Sequence, residues 1–540
     1  MKSLIKFSLL AVLGILVLYP TVRTILVSIQ ADQGFSLENY RYIFGTAGSM
    51  TAIKNTLIMG ASTVLICGFI GTFLAFFVHY FDFPMSKFLD KVLLLPLVVP
   101  GLIIVFAFVQ LYGESGMVTK SIQSILDLDS IPYKFMGLPG ILMVHAYTQY
   151  IYFYMNVSIA VKEMDRSVVA AAVNLGASPL RVFLTVIVPY IGPALISSGI
   201  LTLMTGIGSF SAPNIIGGGF KVLTTQILLS KANLYLDLAA AQVVVLSIFA
   251  MSYMFISRYY EKKVSFQFGT KEYLIQPVEI KSKSARVLVT IIAIGIVVMI
   301  FLPIITIIIL SFVKPGTWMV DIFPSKFSLE NYIRIFTRSR SLAPFLNSLK
   351  MALIAATAAV FLAVPAAYTV TKTETRLKSL LEFLLMLPFA LPASAIAINM
   401  INGFSSILLG KWIFLPLAYF ISMFPMAVRS ITISYQRLKD QYIEASTNLG
   451  ASNITTLTRV ILPLILPGIW SGFLLVFIRS LGEYTISAFL YTAANRPISI
   501  AMVNSMFEFE IGLAMAYGSL VLIMTVVGST VLKRLQVYVE

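Results

Sequence analysis

The sequence predicts an all-α polytopic membrane protein of about twelve transmembrane helices, arranged as two parallel six-helix repeats. Three observations predict it. The chain is 58% hydrophobic and 11% charged, with a mean hydropathy of +0.91, whereas a soluble domain carries about 25% charged residues. Apolar runs of spanning length recur from end to end. Distant stretches of the chain also match one another in a fixed register.

The spanning runs lie at roughly 4–29, 53–80, 90–112, 137–161, 191–216, 237–257, 286–313, 346–371, 380–405, 412–432, 465–490 and 511–533. Each is near the ~20 residues that a helix needs to cross ~30 Å of hydrocarbon. A membrane barrel would need alternating strands of ~10 residues, and these runs are too long and too uniform for that.

Charge sets the orientation. With a cytoplasmic N-terminus, 23 of the 39 Lys and Arg fall on inner segments and their edges, in slightly less than half of the loop length. That is the positive-inside bias, and it puts the C-terminus in the cytoplasm too. The net charge of +16 therefore speaks for topology and for anionic membrane lipids. A nucleic-acid partner would need basic residues clustered on a soluble domain, and there is none. Cys67 is the sole cysteine, so no disulfide and no cysteine metal cluster can form within one chain. His79 and His145, in different spans, make no metal site.

The register of the repeat is explicit. "FSLENYRYIF" (35–44) returns as "FSLENYIRIF" (327–336), a shift of 292 that also carries Asn55 to Asn347, Pro96 to Pro388 and Pro100 to Pro392. Further on the shift is 274, taking Gly176 to Gly450, Pro189 to Pro463 and Gly208 to Gly482. The basic, apolar opening looks like a signal peptide. Yet "LYPTV" (18–22) aligns with "FLPII" (301–305) in mid-chain, so a true first span is expected. Six spans per half is an even number, which makes the repeat parallel. The halves are 1–257 and 286–540, joined by a charged cytoplasmic linker, 258–285.

Within the inner loops 162–190 and 433–463, "AAAVNLGAS" (170–178) and "EASTNLGAS" (444–452) share five consecutive residues. In the second copy, 435–449 predicts a helix. Gly450 stands at the C′ position, where a left-handed backbone costs glycine little, and Ser452 is an N-cap for a short helix to about Ile461. In the first copy Gly176 ends one helix, Ser178 caps the next, and Pro179 sits where its missing N–H is harmless. Each product is a helix–turn–helix elbow lying flat on the membrane, apolar toward the bundle and polar toward the cytosol. Two such elbows in register suit two copies of one cytoplasmic partner. The candidate coupling residues are Ala170, Asn174, Gly176 and Ser178, with Glu444, Ala445, Asn448, Gly450 and Ser452.

The elbows carry a resemblance. Glu444-Ala445-Ser446, three residues, Gly450, nine residues and Val460-Ile461-Leu462-Pro463 follow the "EAA---G---------I-LP" signature. Ala170-Ala171-Ala172, Gly176 and Val186-Ile187-Val188-Pro189 follow it in the first half. The chain thus resembles, over essentially its whole length, a fused permease subunit of a binding-protein-dependent type I ABC importer. The resemblance implies a bacterial inner-membrane location. It implies elbows seated on two copies of an ABC ATPase, and a periplasmic or lipid-anchored solute-binding protein. Ala170 departs from the pattern where Glu444 keeps it, so the role of the acid is not carried to the first half. "GxxxxGK[ST]" does not occur; Gly410-Lys411 is followed by Trp412 and lacks the loop that wraps phosphate. The chain is therefore expected not to be an enzyme and to bind no cofactor, with ATP and Mg held by partner subunits.

Ionisable residues within spans are functional candidates by default. Arg479 and Glu483 are four apart on one helical face and are expected to pair. Ser209 and Phe210 in "GSF" (208–210), with Arg479, Glu483 and Tyr484 around "GEY" (482–484), are the candidate translocation path. The competing reading is an intrahelical pair that only fixes packing. "HAYTQYIYFYMN" (145–156) reads as an interfacial aromatic belt or as ordinary packing. The proline pairs predict bends in both third spans. Each "FSLENY" predicts a short outer helix, with Ser36 and Ser328 as N-caps and Glu38 and Glu330 in the first turn.

A fused chain with "GSFSAPNIIGGGFKVLTTQI" (208–227) resembles the ferric-iron importer group, so ferric iron is the first expected solute. Thiamine, 2-aminoethylphosphonate, polyamine and sugar phosphate are the alternatives within that group. A rival from another class is an ion-coupled secondary transporter with two parallel halves. It needs buried acids at midplane, where only Glu483 qualifies, and it leaves the elbows unexplained. A membrane enzyme lacks any nucleophile–base set.

Overall fold

The computed structural model describes residues 2–31, 34–131, 133–264, 278–280, 282–318, 321–372 and 377–537. Half of the expected 258–285 linker, 265–277 and 281, lies outside the described residues. The described residues are mostly helical, with two pairs of two-residue strands and short connecting turns.

Among the described residues nine helices are long and apolar enough to cross a membrane, with a tenth if the bent pair Lys378–Ala390 and Ala393–Leu408 is one span. Two further windows hold helices of other character. Leu138–Glu163 runs for 26 residues but is rich in tyrosine, and only the first part of Leu236–Val264 is apolar. Each of the twelve predicted windows thus contains a helix. Phe69 and Phe361, matched at the shift of 292, are 76% and 82% exposed at mid-helix. An apolar ring left outside at that depth fits hydrocarbon, not water.

The repeat is visible element by element. Ala47–Tyr80 and Ser339–Lys372 both have 34 residues, and Val188–Ile207 and Leu462–Leu481 both have 20. Both of the 20-residue helices are preceded by a π-helical turn, Phe183–Ile187 and Leu457–Ile461. The wide turn falls two residues before Pro189 and Pro463, whose rings would crowd an ordinary α turn.

Four windows are interrupted. In both third spans a new helix starts directly after the second proline of the pair; in the first half the helix before it already ends at Val92, with Pro96 in a short 3-10 turn between. Pro100 precedes Gly101–Tyr112, and Pro392 precedes Ala393–Leu408, with a 112° bend there. Proline pushes the residue before it out of the α region, and Leu391 is accordingly extended. Pro388 stays inside its helix. The fifth spans end earlier than the windows predict, at Ile207 and Leu481, and short helices Ser211–Ile216 and Thr485–Leu490 follow.

The packing units cut across the repeat. One comprises 1–43, 226–247 and 308–540; the other comprises 44–225 and 248–307. In the first unit the opening span packs on a helix of the second half. A Cβ on Gly403 would lie 2.9 Å from the Pro20 Cβ, and Asn399 and Asn402 donate to Thr21 and Thr24. Small residues bring the other helices close, as membrane packing favours. Ala352, Ala355, Ala356, Ala359, Ala363, Ala366 and Ala367 form a fully buried stripe on Ser339–Lys372. In the second unit a Cβ on Gly71 would fall 2.4 Å from the Tyr150 carbonyl oxygen.

Candidate functional site

The first elbow is built from Arg166–Asn174 and Pro179–Val182. Asp165 caps the first helix by accepting from the Ser167 N–H at 2.8 Å. At its end the Gly176 N–H donates to the Val173 carbonyl and the Ala177 N–H to the Ala172 carbonyl. That pair of bonds is a Schellman motif, which needs a left-handed residue at C′. Gly176 has φ +80°. Ser178 then accepts from the Arg181 N–H. The underside is apolar: Met164, Val182 and Ile187 are buried, with Ala172 and Ala177 packed on them.

The second elbow repeats the device with different chemistry beneath. Helix Phe414–Arg437 ends at Leu438, so the single helix expected over 435–449 is two, and the elbow helix is Asp440–Asn448. Gly450, at φ +81°, donates to Thr447, and Ala451 donates to Ser446. Ser452 accepts from the Thr455 N–H at 3.2 Å. Ser446 and Thr456, both buried, are bonded at 2.9 Å. They stand where Ala172 and Val182 stand in the first elbow.

Of the expected coupling residues, Ala170, Asn174, Gly176, Ser178, Glu444, Ala445, Asn448, Gly450 and Ser452 are all exposed. No Cβ added at Gly176 or Gly450 would meet any atom within 4 Å, so these glycines serve the backbone and not a close approach. The elbow tips also hold residues outside that set. Leu175 and Leu449 are each 88% exposed, and Leu180 and Ile454 each 68%. Matched apolar side chains, equally bare, are a surface made for burial against something else. The signal was present in "NLGAS", whose leucine is the one apolar member of a polar loop that is otherwise small.

The candidate path residues fall at the ends of the fifth spans. Phe210, Glu483 and Tyr484 are buried, Ser209 is half-buried and Arg479 is exposed. The expected Arg479–Glu483 pair does not form among the described residues. The Glu483 carboxylate instead accepts from the backbone N–H groups of Ile486 and Ser487 at 2.9 and 3.0 Å. It thereby caps Thr485–Leu490, where the helix dipole favours negative charge. Gly482 ends the span between the two residues, and that break turns the carboxylate away from Arg479. The Ser487 hydroxyl joins this group to Tyr419 at 2.6 Å, and Ser499 donates to the Glu483 carbonyl.

The first half has a different polar group at the matched place. The two ring nitrogens of His145 lie 2.8 Å from the Thr63 and Ser209 hydroxyls, and Thr224 donates to the Ser209 carbonyl. The shift of 274 pairs His145 with Tyr419 and Ser209 with Glu483, so this group was traceable in register. The belt reading of 145–156 gives way to packing: Tyr147, Tyr150 and Tyr154 are buried and their hydroxyls donate to Ile300, Leu93 and Asp90.

Comparison with known proteins agrees with this geometry. The family model described as "Binding-protein-dependent transport system inner membrane component" matches twice, over residues 67–266 and 355–540. A probable ABC transporter permease protein, y4fN, of Sinorhizobium fredii is 30% identical, over 84% of this chain and 81% of its own. The ferric transport system permease protein FbpB of Actinobacillus pleuropneumoniae is 25% identical over 96% of this chain and 77% of its own. A putative 2-aminoethylphosphonate permease, PhnU, of Salmonella typhi is 26% identical over 42% of this chain and 80% of its own. The chain belongs to the binding-protein-dependent inner-membrane permeases of ABC importers, with the family unit present twice in one polypeptide.

Proposed function

We propose that the two elbows dock two copies of a cytoplasmic ABC ATPase, and that closure of those subunits drives the two permease halves between inward-open and outward-open states. The observation that carries this is the matched pair of tip leucines, each 88% exposed beyond a glycine turn. Burying one leucine side chain contributes about 1.5–3 kcal/mol, enough for two tips to anchor a partner. Nucleotide and Mg belong to that partner. The elbows and both termini face the cytoplasm, and a solute-binding protein delivers cargo at the other face. Ferric iron is the proposed solute, on the strength of the FbpB relative, with 2-aminoethylphosphonate next. Phe210, Glu483 and Tyr484 belong to the segments that close the path.

The secondary-transport reading needs an acid free to exchange ions. Both carboxylate oxygens of Glu483 are taken by backbone amides, which disfavours it. Purification in mild detergent with the candidate ATPase tests the proposal. Co-elution and solute-stimulated ATP turnover are expected for the wild type, with loss of co-elution on Leu175→Asp/Leu449→Asp. A permease that transports without any ATPase overturns the reading.

A further inference from the structure

The two repeats differ in charge at a matched corner. Helix Ser339–Lys372 has 34 residues and so spans about 51 Å at 1.5 Å per residue. Its Lys372 end touches the second elbow through Asp440. At its other end lies a cavity of about 300 Å³ lined by Arg334, Arg338, Arg340 and Arg496, with Glu508 and Glu510. Arg334 pairs with Glu510 at 2.6 Å. Its Nε and the second Glu510 oxygen are buried without a hydrogen-bond partner. Arg496 donates to the Arg340 carbonyl. Arg338 and Arg340 are exposed and form no ion pair among the described residues. Four guanidinium groups against two carboxylates leave the cavity with an excess of positive charge.

The corresponding corner of the first repeat is acidic. It is built from the same parts, Glu38–Gly45 for Glu330–Thr337 and the start of Leu236–Val264 for that of Ile511–Val537. Both closing helices follow a left-handed turn residue, Leu234 at φ +65° and Phe509 at φ +60°. Here the cavity is about 930 Å³ and its charged lining is Glu38 and Asp237, with Asn39 donating to Asp237. At the shifts of 292 and 274, Tyr42, Thr46, Gly48 and Val222 replace the four arginines.

We propose that these corners are the two feet of the dock for the solute-binding protein, and that their opposite charge admits it in one orientation only. The arginine cavity takes a carboxylate-bearing surface of one lobe; the Glu38–Asp237 corner takes a basic surface of the other. This rests on the proposed function. A homodimeric permease presents the same corner twice and accepts a two-lobed partner either way round. A fused chain can make its corners unequal, and this one has. Complementary charge chooses register and speeds encounter more than it adds affinity. Arginine suits the task because its planar fork meets carboxylate in two parallel hydrogen bonds.

The test uses the full assembly in lipid nanodiscs: permease, ATPase and the secreted binding protein, loaded with solute. ATP turnover is titrated with binding protein for wild type, Arg338→Glu/Arg340→Glu, Arg338→Gln/Arg340→Gln and Glu38→Lys/Asp237→Lys. The half-maximal concentration should rise about tenfold for each charge reversal and less for the glutamine variant. The differences should shrink as salt is raised, and turnover at saturation should be retained. Stimulated wild type with unshifted variants overturns the dock alone. A wild type that no binding protein stimulates overturns the transport reading together with it. Suppression of the shift by inorganic phosphate, or its appearance only with anionic lipid, assigns the arginines to a free oxyanion or a headgroup and overturns the dock.

Discussion

The Lys372 ammonium lies 2.6 Å from the Asp440 carboxylate and 2.8 Å from the Leu438 carbonyl oxygen. It joins the end of a 34-residue membrane helix to the first turn of the second elbow. The first elbow is held otherwise, by the Tyr190 hydroxyl donating to the Glu163 carbonyl and by the Asp165 cap. Lys372→Met should therefore loosen only the second elbow. Asp440 is largely exposed, so the ion pair itself contributes at most about 1 kcal/mol, and global stability should barely change. Amide hydrogen exchange over 440–449 should speed up while exchange over 166–175 stays as it was.

Gly450→Val should damage coupling through the backbone alone. The space around a Cβ there is open, so no clash contributes. Forcing a β-branched residue to φ +81° costs about 1–2 kcal/mol or more. Gly450→Asn should be far milder, because asparagine tolerates the left-handed region. ATPase co-purification should follow the order Gly, Asn, Val, and so should the Gly176 series. Equal yields for Val and Asn would show that the turn does not matter.

Leu449→Asp should leave insertion and folding intact, since the side chain touches little. It should weaken ATPase binding by about tenfold or more, given the ~1.5–3 kcal/mol of a buried leucine. Microscale thermophoresis of the solubilised permease against the ATPase reads this directly.

Glu483→Ala should destabilise the end of the fifth span by about 1–3 kcal/mol, because the Ile486 and Ser487 amides are left buried without an acceptor. Glu483→Gln, which keeps one oxygen, should recover part of that. Arg479→Ala should cost little, since Arg479 is exposed and unpaired with Glu483. A thermal-shift series in detergent separates the three. A loss for Arg479→Ala as large as for Glu483→Ala would restore the ion-pair reading.

The elbows were legible because their determinants are local. A glycine at C′ and a serine at the next N-cap act within a few residues, and both copies landed on the residues named. The helix windows were legible for the same reason, as hydrophobic length is a property of the segment. What escaped depends on partners. Hydropathy does not say that Pro20 packs on Gly403, so the exchange of first spans between packing units had no sequence signal. Nor does helical spacing show that Gly482 ends a helix between Arg479 and Glu483. A carboxylate freed from that ladder finds backbone amides before it finds a guanidinium. Leu175 and Leu449 stand out within "NLGAS" as its large apolar member, but that local signal is easily lost in a chain full of leucines.

The wide turns at Phe183–Ile187 and Leu457–Ile461 keep each elbow's second arm in one unbroken rod with the span that follows. Pro179–Ile207 is 29 residues, hence a lever of about 44 Å. Tilting such a lever by about 10° sweeps its distant tip through roughly 8 Å. A rocking of that size at the elbow end therefore suffices to lift or drop the segments beginning at Ser209 and Glu483, without any helix having to melt.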